Sequence, residues 1–392
     1  MNTPFFLISE KELQRNIFGF KDALKKYWPN SRMAYSVKTN SLPWVLKYMK
    51  QQDVMAEVVS DEEYGLAKLC GYKDRDIVFN GPIKGEQQLV DAVTLGAIVN
   101  LDSENDIKVL CKSCVEPDNN IGFRINIPTE ILDVHDIGYM EDGFRFGFSV
   151  DSSGFQQSFQ RLRERYPEKV FGLHVHCNSI TRSLNVYKAI ASYTSFIIKR
   201  YNLKPAFIDI GGGFFGGIEG KPTPDEYIKT ITNELLDVVD IEQTKLIIEP
   251  GSALIGSVVE LHTSVIDVKE TSRARIVTTD GSRIHIDPLW KKTNYMYSMQ
   301  MPAEAERNRL DTQIICGYTC MDHDRIMVLK NEKELQVGDK IVYHRIGAYS
   351  MTFGGMFIRY YPDVYVQYDD NRIEQVRKRI EVEEYLKIQT CG

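Results

Sequence analysis

Met33-Ala34-Tyr35-Ser36-Val37-Lys38-Thr39-Asn40 is an apolar run that delivers one lysine and then stops at two turn formers. Five or six apolar residues are too few for a helix, and a turn signal behind them reads as the end of a buried strand. Lys38 then stands at the strand's carboxyl end, where parallel α/β folds keep their chemistry. An amine whose pKa is lowered by burial can condense with an aldehyde. A lysine just past a strand is more often simply solvated, so this reading depends on the rest of the chain.

Working outward, the pattern around this stretch is regular. Residues 4–8 form a short strand, and Ser9 opens a helix running towards Tyr27. Apolar strand candidates follow at 33–38, 54–59, 76–80, 96–100, 121–126, 171–177, 206–210 and 245–249. Amphipathic segments such as 61–71, 84–94, 102–113 and 183–201 separate them. Eight strands alternating with helices predict an α/β fold, a (β/α)8 barrel, with a doubly wound open sheet as the alternative on pattern alone. The longest interruption, 127–150, carries Pro128, Gly138, Gly143 and Gly147 and reads as a loop over the barrel mouth. Past Gly251 the texture becomes β-branched and aromatic, at 257–269, 273–280, 311–316, 325–329, 340–346 and 363–367, with turns at Asp280-Gly281 and Val337-Gly338-Asp339. This predicts a second, mostly β C-terminal domain. The expected division is a barrel over 13–258 and a β domain made of 1–12 plus 259–392, in which 291–309 is a long hydrophilic excursion.

Composition bounds the function. A chain of 392 residues, 43% hydrophobic and 26% charged, has the makeup of a folded globular protein of two or three domains. Its net charge of -6 and the lack of basic runs argue against nucleic-acid and membrane-surface partners and for a small molecule. No apolar run approaches about 18 residues, and the N-terminus lacks a basic, cleavable leader pattern, so a cytoplasmic location is expected. The seven cysteines, at 70, 111, 114, 177, 316, 320 and 391, are odd in number and scattered, which suits reduced thiols. Cys111 and Cys114 have metal-site spacing without a second pair.

Further motifs fall where predicted strands end. Gly172-Leu173-His174-Val175-His176-Cys177-Asn178-Ser179 places His174 and His176 on one side of a strand. No carboxylate or third histidine lies close by in sequence, so no metal is assigned. Asp209-Ile210-Gly211-Gly212-Gly213-Phe214 puts three glycines directly after a strand, where backbone N–H groups can approach an anion, commonly a phosphate. Ile248-Glu249-Pro250-Gly251 ends the eighth strand with a carboxylate on a stiff turn. Cys316-Gly317-Tyr318-Thr319-Cys320-Met321-Asp322-His323-Asp324 and Gly347-Ala348-Tyr349 lie in the β domain.

In this order and at these separations, the six motifs resemble the pyridoxal-phosphate decarboxylases of the alanine-racemase-like fold, the diaminopimelate and ornithine decarboxylase family, over essentially the whole chain. The resemblance implies pyridoxal 5'-phosphate as cofactor and a homodimer with shared active sites. It makes Lys38 the Schiff-base lysine and His176 the histidine stacked on the cofactor ring. Ser179, Gly211, Gly212, Gly213 and Tyr349 become the phosphate-holding groups, with Gly251 beside them, and Glu249 the acid on the pyridine nitrogen. Cys320 becomes the thiol that enters from the partner subunit and reprotonates the product carbon. Arg124, Glu57 and Glu63 match polar positions around the cofactor. The chemistry agrees, because a pyridine kept protonated by a carboxylate accepts the electrons left at Cα, and a free thiol is mostly protonated at neutral pH.

Three departures bear on substrate and phosphate. The glycine usual before the serine is Asn178, the arginine usual after Glu-Pro-Gly is Ser252, and the acid usual after the cysteine is Met321. A methionine does not pair with an ammonium group. The pattern resembles natural-product and siderophore branches that decarboxylate conjugated or carrier-bound amino acids, with Met321, Asp322 and Asp324 as candidate substrate contacts. Asp322 or Asp324 could otherwise take over the missing acid's part. A racemase or epimerase would use the same lysine and barrel, and a non-catalytic cofactor-binding homologue would be expected to have lost Lys38, Glu249 or Cys320.

Overall fold

A computed structural model describes residues 1–138, 142–302 and 306–390. The chain divides into two compact units, Asn16–Leu254 and Met1–Arg15 with Ile255–Gly392. It begins with strand β1 (Phe5–Ser9) and helix α1 (Glu10–Tyr27), whose acidic first turn and basic last turn suit the helix dipole. Then strands and helices alternate: β2 (Ser31–Ser36), α2 (Pro43–Gln51), β3 (Met55–Val58), α3 (Asp61–Leu69), β4 (Ile77–Phe79), α4 (Glu86–Thr94), β5 (Ile98–Leu101) and α5 (Glu104–Lys112). They continue through β6 (Ile121–Ile125), α6 (Ser153–Arg165), β7 (Gly172–Val175), α7 (Leu184–Arg200), β8 (Phe207–Asp209), α8 (Pro224–Leu235), β9 (Lys245–Ile248) and α9 (Ser252–Ile255). Because β2 bonds to β9 as well as to β3, the eight parallel strands close into a barrel, which excludes the open sheet.

The barrel interior is layered by the period of two along a strand. One apolar layer is Ala34, Met55, Val78, Ile98, Phe207 and Ile247. On β6 and β7 the glycines Gly122 and Gly172 leave the space that Phe207 fills, since a Cβ on Gly172 would lie 2.3 Å from its ring. Burying that one phenylalanine contributes about 1.5–3 kcal/mol. Two residues further along every strand the layer turns polar: Ser36, Glu57, Asn80, Asn100, Arg124, His174, Asp209 and Glu249. The apolar layer is the floor, and the polar layer opens towards the carboxyl ends of the strands.

Part of the 127–150 loop returns over this end. Ile125 bridges Phe148, and Asn126 Nδ2 donates to the carbonyls of Phe144 and Phe146, 2.5 and 2.7 Å away. Residues 139–141 of that loop lie outside the described residues.

The other unit is mostly β: β10 (Val259–Glu270), β11 (Arg275–Thr279), the turn α10 (Arg283–Ile286), β12 (Met296–Gln300), β13 (Arg309–Cys316), β14 (Arg325–Lys333), β15 (Lys340–His344), β16 (Asp363–Gln367), β17 (Ile373–Arg377) and α11 (Val382–Gln389). Its sheet runs β14-β13-β11-β10-β1-β16-β17, with β15 on β10 and β12 on β15. The N-terminal strand lies inside the sheet, antiparallel to β10 and parallel to β16. Two strands depart from expectation. The excursion 291–309 contains β12, whose residues alternate between exposed and half-buried, and its residues 303–305 lie outside the described ones. β17 is a charged edge strand, a composition that blunts edge pairing and hides the strand from a hydrophobicity reading. Among the described residues no helix is long and apolar enough to cross a membrane, and six cysteines are free thiols. Cys391 lies outside the described residues.

Candidate active site at the carboxyl ends of the barrel strands

Lys38 sits in a single 3-10 turn, Val37–Thr39, directly after β2, with Val37 and Thr39 buried on either side. The turn is pinned from the end of the neighbouring strand β9 by the Glu249-Pro250-Gly251 corner, where a Cβ on Gly251 would lie 2.1 Å from Thr39 Oγ1. Lys38 Nζ is 2.6 Å from Glu57 Oε2, which also accepts from Ser36 Oγ at 2.5 Å. Burial pushes the Glu57 carboxyl up. The Lys38 charge and the bonds from Lys38, Ser36 and Asn80 outweigh that and hold it below the usual range.

The polar layer then continues as one hydrogen-bonded chain. Asn80 Nδ2 donates to Glu57 Oε1 at 3.1 Å and to Glu249 Oε1 at 2.6 Å. Asn100 Nδ2 donates to Asn80 Oδ1 at 2.8 Å and to Asp209 Oδ2 at 3.0 Å, and Asp209 Oδ1 accepts from the N–H of Gly211 at 2.9 Å. Two amides thus tie the Lys38 amine to three buried carboxyls. Burial, then the neighbouring Asp209 and Glu57, push Glu249 well above the carboxylate range, while burial raises Asp209 to about 6. Both shifts favour the protonated carboxyl over the carboxylate.

His174 and His176 lie parallel, with ring centroids 6.3 Å apart. His174 Nε2 is 3.9 Å from Glu249 Oε2, but the contact is not an ion pair. Burial, then Arg124, hold His174 neutral, and burial with the charges of Arg124 and Lys38 brings His176 down to about 3. Both nitrogens of His174 and Nδ1 of His176 are buried without a protein partner. A histidine depressed in the folded state contributes stability above its unfolded pKa of about 6.5 that is lost as pH falls towards the folded value. The free energy of unfolding of the cofactor-free protein should fall below pH 6.5 by up to about 1.4 kcal/mol per pH unit for each ring. Urea unfolding between pH 7 and 4 should show this slope, reduced in His176→Asn, and an unchanged slope in that variant would contradict a neutral His176.

The glycine turn after β8 lies against these groups. Gly211 has φ +69°, and a Cβ there would lie 2.4 Å from the His176 ring, so only glycine lets the turn run beside the imidazole. A Cβ on Gly212 would lie 2.2 Å from the Glu249 carbonyl, and Tyr187 donates its hydroxyl to the Gly212 carbonyl at 3.0 Å. Ser179 Oγ accepts from the N–H of Arg182 at 3.1 Å. Arg124 pairs with Asp102 at 3.3 Å, packs over the Phe146 ring and leaves its Nε unpartnered. Beside it the fully buried Lys84 pairs with Asp106 at 3.4 Å. Glu63 is engaged by the backbone, accepting from the N–H of Val59 at 2.9 Å.

The remaining expected residues belong to the β unit. Cys320 is exposed in the turn after β13, followed by half-buried Met321 and exposed Asp322. Tyr349 is left-handed, with φ +56°, and its ring lies 6.0 Å from Phe353. Asp324 corrects the sequence reading. Its buried carboxylate accepts from Ser282 Oγ at 2.9 Å, the Arg283 N–H at 3.0 Å and Thr319 Oγ1 at 2.6 Å, so it fastens the Cys320 turn instead of facing a substrate. Sequence reasoning missed Asn80, Asn100, Lys84 and Asp102. The signal for the two asparagines was their place two residues past Val78 and Ile98, matching Ser36 past Ala34 and Glu249 past Ile247.

The donor set fits a phosphorylated pyridine aldehyde. An amine, a buried carboxyl of raised pKa, unpartnered imidazole nitrogens and a glycine cradle lie together at one end of the barrel. By spacing, His174, Asp209 and Glu249 could also hold a cation, with ligand atoms within 4.8 Å of one another.

Comparison with known proteins places these features. Residues 11–256 match the family model described as "Pyridoxal-dependent decarboxylase, pyridoxal binding domain". A probable chloroplastic diaminopimelate decarboxylase of Oryza sativa subsp. japonica is 26% identical over 98% of this chain and 79% of its own length. The diaminopimelate decarboxylase of Aquifex aeolicus is 24% identical over 96% and 89%. Among solved structures, the M. jannaschii diaminopimelate decarboxylase with L-lysine aligns at a TM-score of 0.83, with 19% identity over 100% of this chain and 92% of that one. The Helicobacter pylori diaminopimelate decarboxylase with L-lysine aligns at 0.81, with 22% identity over 99% and 97%. At these identities the solved structures establish a shared fold.

Proposed function

Because the chain belongs to the family of pyridoxal-dependent decarboxylases, we propose that its barrel mouth removes the α-carboxylate of an amino acid, with Lys38 as the amine that takes the cofactor's aldehyde. The observation that carries this reading is the chain Lys38–Glu57–Asn80–Glu249, which joins the amine through the barrel interior to a buried carboxyl whose pKa is raised. Bound pyridoxal phosphate supplies an electrophilic carbon and a ring that accepts the electron pair released as carbon dioxide leaves. The residues supply the rest. Glu57 takes and returns a proton at Lys38 Nζ. Glu249 offers its proton to a ring nitrogen and keeps that nitrogen charged. His176 gives the ring a flat neighbour, and Ser179, Gly211, Gly212, Gly213 and Tyr349 hold the phosphate, with Gly251 letting the Glu249 corner close on the Lys38 turn. Cys320 of the partner subunit delivers the proton to Cα, so the working unit is a homodimer.

For the substrate, Met321 follows the proton donor where an acid would pair with a distal ammonium group. We therefore assign an amino acid whose far end is conjugated or carrier-bound. The relatives named above favour a second reading, diaminopimelate itself. A panel of free and conjugated amino acids in deuterium oxide separates them by mass spectrometry: loss of carbon dioxide with one deuterium gained at Cα is expected for a conjugate, and equal turnover of diaminopimelate would instead support the second reading. In the same assay Cys320→Ala should lower kcat by about 10²–10⁴-fold, the range for losing a general acid, or give product protonated elsewhere. Unchanged rate and product would remove Cys320 from the reaction.

A further inference from the structure

The position after Glu249-Pro250-Gly251 carries Ser252, so the guanidinium expected at this corner is missing from the local sequence. The structure supplies one from elsewhere. Arg182, 70 residues earlier, donates from Nη1 to Ser252 Oγ at 3.0 Å. Its side chain lies 5.3 Å from the Phe215 ring, just past the glycine turn. Its own N–H donates to Ser179 Oγ at 3.1 Å, which leaves the Ser179 hydroxyl hydrogen to point elsewhere.

Arg182 is held deliberately. Its backbone is left-handed, with φ +50°, a conformation unfavourable for a non-glycine residue, and Tyr227 fixes it by donating to its carbonyl at 2.6 Å. The residue is half-buried, and among the described residues no carboxylate pairs with it. A partly desolvated guanidinium with spare donors, beside a glycine turn and a serine hydroxyl, is matched to a phosphate, which it can bind through two parallel bonds.

We propose that Arg182 binds the cofactor phosphate, replacing from the loop after β7 the arginine that the Ser252 position lacks. This rests on the barrel mouth being the cofactor site. The test is titration of cofactor-free protein with pyridoxal phosphate and, separately, with pyridoxal, which lacks the phosphate. In Arg182→Ala the affinity for pyridoxal phosphate should fall about 10–100-fold, the loss expected for a charge-assisted hydrogen-bond pair, and that for pyridoxal by less than about threefold. The double variant Arg182→Ala/Ser252→Arg should regain most of the loss, which a merely misfolded protein would not do. An equal loss for both ligands would overturn the proposal. So would unchanged pyridoxal-phosphate affinity with a raised KM, which would put Arg182 on a substrate carboxylate. Wild-type protein that binds neither ligand would instead refute the cofactor site itself.

Discussion

Lys38→Ala should lose about 10⁴-fold or more in kcat, the scale on which removing one member of a concerted catalytic unit acts. Lys38→Arg should not restore it, because a guanidinium keeps its proton and cannot act as a nucleophile. The same change disturbs Glu57. Its carboxyl is buried, and the Lys38 charge is the largest influence that holds it low against that burial, so loss of the amine moves its pKa upward. The Lys38 side chain is 42% exposed, and solvent screening limits the accompanying loss of stability to about 1–2 kcal/mol. Steady-state kinetics beside urea unfolding separates the two effects. A fall in activity no larger than the stability loss would explain would contradict a chemical role for Lys38.

Glu249→Gln carries the second large effect. Glutamine keeps the oxygen that accepts from Asn80 but has no proton to give, so the change isolates the proton held by a carboxyl pushed well above its usual range. kcat should drop about 10²–10⁴-fold, while affinity for pyridoxal phosphate, set largely at the phosphate end, should change less than about tenfold. A variant that retains kcat within a few-fold would show that the ring nitrogen needs no proton from this position.

How much of this was legible in the sequence follows from what each segment packs against. The barrel strands are buried on both faces and read as continuous apolar runs, so all eight could be placed by hydrophobicity and turn signals. β12 and β17 could not, because one is a half-exposed alternation of Met, Tyr, Ser and Gln and the other a charged edge. Within the site, Lys38, His176 and Glu249 stood out as reactive groups at strand ends. Asn80 and Asn100 did not, since a strand-end asparagine resembles any turn residue until the closed barrel sets Asn80 between Glu57 and Glu249 and Asn100 between Asn80 and Asp209. Asp324 misled for the opposite reason, as its motif position says nothing of the donors that converge on its carboxylate from Ser282 and Arg283 at the start of α10 and from Thr319 in the turn itself. The Arg182–Ser252 contact joins the loop after β7 to the start of α9, 70 residues on, and leaves no local pattern at all.

The central claim is that the amine of Lys38 is where the cofactor is held. Borohydride reduction of the pyridoxal-phosphate-loaded enzyme, followed by proteolysis and peptide mass mapping, tests it directly. The cofactor should be fixed covalently to the peptide carrying Lys38 and to no other. Fixation at a different lysine, such as the buried Lys84, or none in an enzyme that turns over, would contradict it.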